Sequence, residues 1–343
     1  MPLSLFILYK VILVVVVFAI TLFVAMYSTY AERKVAAFMQ DRLGPNRAGP
    51  FGILQPLADG VKMFMKEEIV PQISNKFLFI LGPSIAMFTS CITGAVIPWG
   101  TSLHIAGHEF ILQVTDINIG ILYIMAITSI GVYGIMIGGW ASNNKYSLLG
   151  ALRASSQMIS YEIAMGLAII ALVMTTGTLS LKSIAAQQIG WHWNLFYQPL
   201  GFLIFLICAF AETNRTPFDL PESDSELIGG YHTEYSNMKL GFYLFAEYVN
   251  MFISSAIIST LYFGGYNMPF IGRLGLSPNL AAVLGIVFLF AKIFFFIFFF
   301  MWVRWTVPRF RFDQLMNLGW KILIPLSIFN VAITGFFILF FHK

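Results

Sequence analysis

Acidic side chains are concentrated between residues 211 and 240, in a pattern suited to proton transfer. The stretch AETNRTPFDLPESDSELIGGYHTEYSNMKL contains six carboxylates, which are Glu212, Asp219, Glu222, Asp224, Glu226 and Glu234. In a helix, Glu222 and Glu226 would be like-charged neighbours, which costs roughly 0.2–0.5 kcal/mol unless they are paired or protonated. Glu212 directly follows an apolar run, where a low dielectric raises the pKa of a carboxyl group. A solvated acidic loop is the simpler alternative.

Three further ionisable residues lie inside apolar segments. Glu162 and Glu247 lie within two predicted membrane spans, and Lys292 lies near the middle of a third. A charge at the centre of a bilayer costs at least about 2.5–3.5 kcal/mol, so these groups should face the interior of the bundle and contact partners or water. We predict that the acids form a path for protons and that Lys292 is an intramembrane base. A structural ion pair is the alternative for any single acid.

The segment AERKVAAFMQDRLGPNRAGPFGILQPLADGVKMFMKEEIVPQ, residues 31–72, contains a second candidate region. Over residues 51–66, helical spacing puts apolar side chains on one face and Asp59, Lys62 and Lys66 on the other; the apolar set is Leu54, Leu57, Val61, Phe64 and Met65. This pattern predicts an amphipathic helix at the membrane interface. Such a helix is either a surface element without further role or an entrance for a lipid-soluble substrate.

Other candidate residues give weaker signals. His104 and His108 have the i, i+4 spacing that metal ligands use on helices, but they lie in a short predicted loop without a third ligand, so we predict no metal site. His232, beside Glu234, has a side chain that can titrate near neutral pH. Cys91 and Cys208 lie in separate apolar runs and are expected to be core residues. No nucleotide-binding or triad motif is present, so the chain alone offers no site for redox chemistry.

Composition places these residues in a membrane protein. Of the 343 residues, 58% are hydrophobic and 10% are charged, and the mean hydropathy is +0.80. Apolar runs near 20 residues are typical of membrane-spanning helices. We predict an all-α bundle that forms a single integral membrane domain over residues 1–343. Its eight spans are predicted at about 5–30, 77–97, 117–139, 158–177, 196–213, 240–265, 280–303 and 320–341.

The distribution of basic residues predicts the orientation. The loops after spans 1, 3, 5 and 7 contain fifteen Lys and Arg residues, whereas the other loops and the termini contain four. Because Lys and Arg are retained on the cytoplasmic side, the odd-numbered loops, including the amphipathic helix, should be cytoplasmic and both termini should face outward. The net charge of +4 therefore reflects topology and does not indicate binding to nucleic acid.

Three long segments resemble a known family. They are AERKVAAFMQDRLGPNRAGPFGILQPLADGVKMFMKE, AFAETNRTPFDLPESDSELIGGYHTEYSNMKLGFYLFAEY and FLFAKIFFFIFFFMWVRWTVPRFRFDQLMNLGWK. The first two closely resemble the signature regions of the H-subunit family of proton-translocating NADH-quinone oxidoreductase, respiratory complex I. The third resembles the seventh span and last loop of the same family, and the likeness covers essentially the whole chain.

The resemblance implies a subunit of the bacterial plasma (inner) membrane that carries no cofactor and forms the membrane side of a chamber for its substrate, quinone. Its partners would be peripheral-arm subunits with the terminal iron-sulfur cluster, other membrane-arm subunits and membrane lipids. Glu32, Arg33, Asp59, Lys62 and Glu67 would line the chamber and its entrance. Glu212, Glu222, Asp224, Glu226 and Glu234 would form an acidic loop that senses quinone reduction, and Glu162 and Glu247 would continue the acidic chain. Asp224 stands where the family leads us to expect glutamate.

Two alternatives remain open at the level of the sequence. A membrane subunit of a membrane-bound hydrogenase would share the fold and the acids but would bind no quinone. A stand-alone proton-coupled transporter would use the same buried acids, but its two halves are expected to show inverted similarity and interrupted spans.

Overall fold

The computed structural model describes residues 3–105, 107–219, 227–269 and 275–341, and most of them are helical. In chain order the helices are α1 (Leu3–Met39), α2 (Gln55–Met65), α3 (Lys76–Thr93), α4 (Gly120–Ala141), α5 (Lys145–Thr176), α6 (Leu181–Gln187), α7 (Asn194–Tyr197), α8 (Pro199–Glu212), α9 (Asn237–Tyr262), α10 (Pro278–Thr306), α11 (Phe312–Asn317) and α12 (Ile324–Phe341). A π-helical turn, Leu318–Leu323, joins α11 to α12. Short 3₁₀ turns occur at Pro50–Gly52, Gly94–Val96 and Gly230–His232. The predicted all-α membrane bundle is confirmed.

Seven helical segments in the described part of the chain are long and apolar enough to cross a membrane: α1, α3, α4, α5, α9, α10 and the continuous segment Phe312–Phe340. The predicted fifth span corresponds to α8, which has only 14 residues. At 1.5 Å per residue α8 is about 21 Å long, shorter than the roughly 30 Å of a hydrocarbon core. It begins at Pro199 because Gln198 has non-helical angles of φ −132° and ψ 55°. The eight predicted spans therefore correspond to seven long helical segments and one short helix, α8.

Two helices extend well beyond the predicted spans. Helix α1 continues to Met39, and α5 begins at Lys145 although span 4 was predicted to start at residue 158. The first turns of α5 contain polar residues that are buried against other elements. The Ser147 hydroxyl donates to the Tyr231 carbonyl at 2.8 Å, and the Gln157 amide donates to the Ala211 and Phe218 carbonyls at 3.0 and 2.9 Å. A prediction from apolar length therefore finds the apolar part of α5, from about residue 158, and misses its polar first turns.

The segment with His104 and His108 forms a β-hairpin. Strands β1 (Ser102–Ile105) and β2 (His108–Ile111) are antiparallel, and His104 pairs with Glu109. Gly107 supplies the turn with φ 77°. The helical i, i+4 relation considered for a metal site is therefore absent from this segment. No group of three or more His, Cys, Asp or Glu side chains among the described residues is placed to hold a metal ion.

Helix α9 forms the axis of the bundle, whereas α1 lies at its edge. In the most apolar 18-residue stretch of each helix, 78% of the residues of α9 are buried but only 11% of those of α1. Small side chains such as Ala168 of α5, Ala209 of α8 and Ala256 of α9 are fully buried in the main core cluster, which allows these helices to pack closely. One side of α1 is consequently available for contact with lipid.

The connections lie on two opposite faces of the bundle. On one face, Lys10 donates to the Gln113 carbonyl at 2.8 Å and Asn267 contacts the Ala185 carbonyl at 2.5 Å. On the other face, Arg33 pairs with Asp59 at 2.7 Å. The Phe310 amide also donates to the Pro217 carbonyl at 3.2 Å on this second face. The predicted odd-numbered loops thus share one face, and the first turns of α1 and the last turns of α12 lie towards the other.

Candidate functional site

The charged centre of the molecule is formed by four side chains that we call the arginine cluster: Arg215, Arg304, Glu32 and Glu247. Arg215, in the turn after α8, donates from Nη1 to Glu32 Oε2 at 3.1 Å, and its Nη2 lies 4.0 Å from Glu247 Oε2. Its side chain is only 4% exposed. The guanidinium also lies 4.0 Å from the ring centroid of Tyr248. A buried cation is tolerated only when partners compensate its desolvation, and Glu32, Glu247 and Tyr248 provide that compensation.

Arg304 holds Glu32 from the opposite side. Its Nη1 lies 2.6 Å from Glu32 Oε1, at the C-terminal end of α10. Each oxygen of the Glu32 carboxylate therefore contacts a different arginine, and the formal charges of the four side chains balance. Burial lowers the pKa of Arg215, but the neighbouring Tyr248, Glu32 and Glu247 raise it by more, so the net pKa lies above the usual value and Arg215 stays cationic.

Glu247 is reached from a third direction by the 3₁₀ turn Gly230–His232. The Tyr231 hydroxyl donates to Glu247 Oε1 at 3.3 Å. The turn lies directly against α5, because a Cβ atom on Gly150 would come within 2.7–2.8 Å of the backbone at Gly230 and Tyr231. This close approach requires glycine at position 150. It places a part of the acidic loop, the turn before Glu234, in contact with an intramembrane acid.

Small cavities connect the intramembrane acids. One cavity of ≈ 30 Å³ is bordered by both Glu247 and Glu212, and another of ≈ 10 Å³ is bordered by Glu212, Glu162 and Cys208. About 10–15 Å³ is enough for one water molecule when polar partners are present. Thr128 borders both cavities. Glu212 therefore borders both cavities, one shared with Glu247 and the other shared with Glu162.

Hydroxyl groups lie beside the two acids at the far end of this row. The Ser129 hydroxyl donates to the Glu162 carboxylate. Thr128, whose hydroxyl donates to the Met125 carbonyl at 3.0 Å, borders the same two cavities as Glu212. Both hydroxyls belong to α4, whereas Glu162 belongs to α5 and Glu212 ends α8. The structure thus brings Glu162, Glu212 and Glu247 into one row across the bundle.

The residues predicted to border an entrance lie at the end of α1 and on α2. The Arg33–Asp59 pair, at 2.7 Å, joins these helices at the surface, and Gln55 donates to Asp59 at 3.0 Å. Lys62 and Glu67 are exposed on the same segment. Helix α2 corresponds roughly to the amphipathic helix predicted over 51–66, and its predicted apolar face is exposed: Leu57 is 48%, Val61 58% and Phe64 70% exposed. Glu32 is buried, unlike its neighbour Arg33.

The acidic loop is described only in part. Glu222, Asp224 and Glu226 lie outside the described residues. Asp219 is buried and accepts from Arg309 at 3.0 Å, and Glu234 accepts from the Asn144 amide at 2.6 Å. Burial raises the pKa of the nearby Tyr235 phenol to about 12, so Tyr235 stays protonated at neutral pH and donates to the Gly138 carbonyl at 3.2 Å.

Lys292 does not join the row of acids. Its ammonium donates to the carbonyls of Phe263 and Gly265, at 2.5 and 2.8 Å, and lies 4.2 Å from the ring centroid of Phe288. These carbonyls follow the C-terminal end of α9, where a cation is favourable. Along α9, sixteen residues separate Glu247 from Phe263, which corresponds to about 24 Å at 1.5 Å per residue.

Sequence reasoning missed the two arginines that organise the cluster. Arg215 and Arg304 were counted only as basic residues of cytoplasmic loops, whereas both make buried contacts with Glu32. The available signal in the sequence was their position, since Arg215 lies four residues after the apolar run that ends at Ala211 and Arg304 lies at the end of another run. A cation there can turn into the bundle when an acid on another span is within reach.

These elements define a polytopic membrane protein whose interior holds a balanced ion cluster and a row of acids. A family model described as NADH dehydrogenase matches residues 11–335. An H subunit of NADH-quinone oxidoreductase from Cytophaga hutchinsonii is 71% identical over 336 residues, covering 98% of this chain and 98% of the relative. The H subunit of NADH-quinone oxidoreductase from Flavobacterium johnsoniae is 68% identical over 98% of this chain and 97% of its own length. NADH-quinone oxidoreductase subunit 8 of Rhodothermus marinus is 50% identical, with coverages of 89% and 90%.

The chain therefore belongs to the family of H subunits, which are membrane components of the multi-subunit enzyme NADH-quinone oxidoreductase, or complex I. The resemblance inferred from the three quoted segments is confirmed. The names of these relatives favour the quinone enzyme over the hydrogenase and transporter alternatives.

Proposed function

We propose that the chain forms the membrane side of the quinone chamber of complex I and couples quinone reduction to proton translocation through its carboxylates. One observation carries this proposal. Arg215 contacts both Glu32, at the end of α1 near the proposed entrance, and Glu247, the first acid of the intramembrane row. A change of charge at the chamber therefore has a direct electrostatic route to the acids inside the bundle.

The coupling depends on how Arg215 divides its interaction between two acids. Reduction of quinone to quinol takes up two electrons and two protons, and negative charge develops on the quinone oxygens before the protons arrive. An anion near Glu32 attracts Arg215 and Arg304 and weakens the contact between Arg215 and Glu247. Two unit charges 4 Å apart interact by about 4 kcal/mol at an effective dielectric constant of 20. A change of this size in the interaction energy between Arg215 and Glu247 would decide whether Glu247 binds a proton.

Protons then move along the row of acids. Glu247 and Glu212 border one cavity, and Glu212 and Glu162 border the next, so water held in these cavities would relay protons between the carboxylates. The hydroxyls of Tyr231, Thr128 and Ser129 can accept and donate hydrogen bonds along this route. We assign the sensing of quinone to the acidic loop with Glu222, Asp224, Glu226 and Glu234, and we keep Lys292 as a separate intramembrane base.

The entrance is assigned to α2 and the end of α1. The exposed apolar side chains of α2 suit a position at the membrane interface, where a lipid-soluble quinone can pass them from the bilayer. Arg33, Asp59, Lys62 and Glu67 would line this passage. We further propose a bacterial plasma membrane location with outward-facing termini, no redox cofactor within this chain, and contact with the peripheral subunits that carry the terminal iron-sulfur cluster.

Replacing Glu212 tests the proposal, because this side chain borders both cavities. In membranes that contain the assembled complex, Glu212→Gln should lower quinone reduction and proton pumping about tenfold, while electron transfer from NADH to ferricyanide stays unchanged. Glu109→Gln, on the exposed β2 strand, is the matched control and should leave all three rates unchanged. Unaltered quinone reduction and pumping in Glu212→Gln would overturn the proton route.

A further inference from the structure

A narrow slot opens on the side of the bundle between α1, α10 and the segment near Trp99. Its volume is ≈ 110 Å³, and α1 contributes Leu13, Val16, Val17 and Ile20 to its wall. Trp99 and Phe290 are among the residues on the opposite wall, so the lining is hydrocarbon and aromatic. An apolar cavity of about 150 Å³ stays dry and binds benzene or xenon. A slot of similar size and lining favours a hydrocarbon group over water.

The slot faces the bilayer and not the interior of the protein. Val16 lies on the rim of the slot and is 44% exposed. The preceding residue, Val15, does not line the slot and is 59% exposed. Only 11% of the most apolar stretch of α1 is buried. A hydrocarbon chain can therefore enter the slot sideways from the surrounding lipid, without passing the arginine cluster or the row of acids.

A lysine lies at one end of the slot. Lys10 is three residues before Leu13 and seven before Val17, so it shares their helix face. Its ammonium donates to the carbonyls of Gln113 and Val114, both at 2.8 Å, in the segment that follows Leu112 of the slot wall. The ammonium also lies 5.2 Å from the ring centroid of Tyr9. Because an ammonium group has three donors and the two carbonyls accept from two of them, the third can donate to an anionic group.

The spacing of these features matches one leaflet of a membrane. Ten residues separate Lys10 from Ile20, which is about 15 Å at 1.5 Å per residue. Half of a hydrocarbon core of about 30 Å has the same thickness. A cation at the headgroup level with an apolar slot that reaches the midplane is complementary to a phosphate that carries an acyl chain.

We propose that this slot binds a phospholipid of the leaflet on the side of the chain termini, with the phosphate on Lys10 and one acyl chain between α1 and α10. The site is separate from the proposed quinone function. It has one structural consequence, because α1 and α10 also meet at the opposite membrane face through Glu32 and Arg304. The lipid would help to set the spacing of the two helices that hold this ion pair.

Photolabelling of the assembled complex tests the site. The purified complex is placed in nanodiscs that contain trace phosphatidylglycerol with a diazirine on its acyl chain, irradiated, digested and analysed by mass spectrometry. Labels are expected on the peptides with residues 13–20 and 286–290. Lys10→Gln should reduce this labelling about fivefold, as the loss of one lysine near a membrane surface would, and Val16→Phe should abolish it by filling the slot. Val15→Phe and Lys182→Gln are the matched controls and should label like the wild type.

Two results would overturn the proposal. Equal labelling of these peptides in the wild type, Lys10→Gln and Val16→Phe would identify only unspecific surrounding lipid. Labelling by a quinone with a diazirine on its isoprenoid tail, unaffected by Lys10→Gln, would assign the slot to the quinone tail. Ferricyanide reduction normalises each variant for the amount of assembled complex, and Lys10→Gln decides the outcome if Val16→Phe fails to assemble.

Discussion

Arg215 links two acids that belong to different helices and to different parts of the proposed function. Its contact with Glu32 joins residues 183 positions apart in the chain. The sequence identifies Glu247 from its position within an apolar segment and Glu32 through the family resemblance, but it does not identify the arginine that joins them. Long-range pairing depends on how the helices pack, and a single arginine at the end of a span is equally compatible with an exposed loop.

Removing the charge of Arg215 should destabilise the protein. Loss of one partner of a buried ion pair costs about 3–5 kcal/mol, because the remaining charge is left buried without compensation. We expect Arg215→Met to lower the amount of assembled complex and its thermal midpoint, measured by native electrophoresis and a thermal shift assay. Arg215→Lys keeps the charge but loses the planar contacts with Glu32 and Tyr248, so it should assemble and reduce quinone more slowly.

Arg311 provides the control for this pair of variants. It lies 3.8 Å from Asp313, and its side chain is 80% exposed. An exposed pair contributes about 0–1 kcal/mol, so Arg311→Met should assemble and melt like the wild type. Equal stability of Arg215→Met and Arg311→Met would contradict the compensating role of the arginine cluster.

At the scale of the elements, apolar length predicts most spans, and contacts between elements account for the exceptions. Helix α5 begins earlier than its apolar run because polar side chains such as Gln157 hydrogen-bond to the end of α8 and to the turn after it. Helix α8 is short because the chain leaves helical geometry at Gln198. The β-hairpin was not predicted, since its two strands have only four residues each and their mixed polarity shows no clear periodicity.

The Arg33–Asp59 pair is one of the contacts that join α2 to α1. This pair is half-exposed, with side-chain exposures of 52% and 34%, so its loss should change stability by less than about 1 kcal/mol. If α2 borders the quinone entrance, Asp59→Asn should raise the KM for quinone several-fold and leave ferricyanide reduction unchanged. Steady-state kinetics over a range of quinone concentrations measure this effect. Asp313→Asn is the matched surface control, and an unchanged KM in Asp59→Asn would argue against an entrance at α2.

At the scale of the whole molecule, charge is arranged in three layers. The arginine cluster lies near the face that carries the predicted odd-numbered loops, the row of acids lies within the bundle, and Lys10 and Lys292 cap backbone carbonyls towards the other face. These charges have three kinds of partner, namely opposite charges, hydroxyls beside cavities and main-chain carbonyls, and Glu247 combines the first two. The number of charged residues within the spans was visible in the sequence, whereas the choice among these partners follows only from the packing.

The same layering predicts how the molecule crosses the membrane. The face with the odd-numbered loops has fifteen of the Lys and Arg residues and should be cytoplasmic, whereas the other loops and the termini together have four.

A cysteine introduced at Ser4 should react with a membrane-impermeant maleimide in intact cells whose outer membrane is permeable. A cysteine at Asn143, between α4 and α5, should react only after the inner membrane is opened. Cys91 is half-buried and Cys208 is buried, so the native cysteines should give little background, and the chain without introduced cysteines measures it. Reaction of Asn143→Cys before Ser4→Cys would reverse the topology and place the arginine cluster on the outer side, which would contradict the proposed orientation.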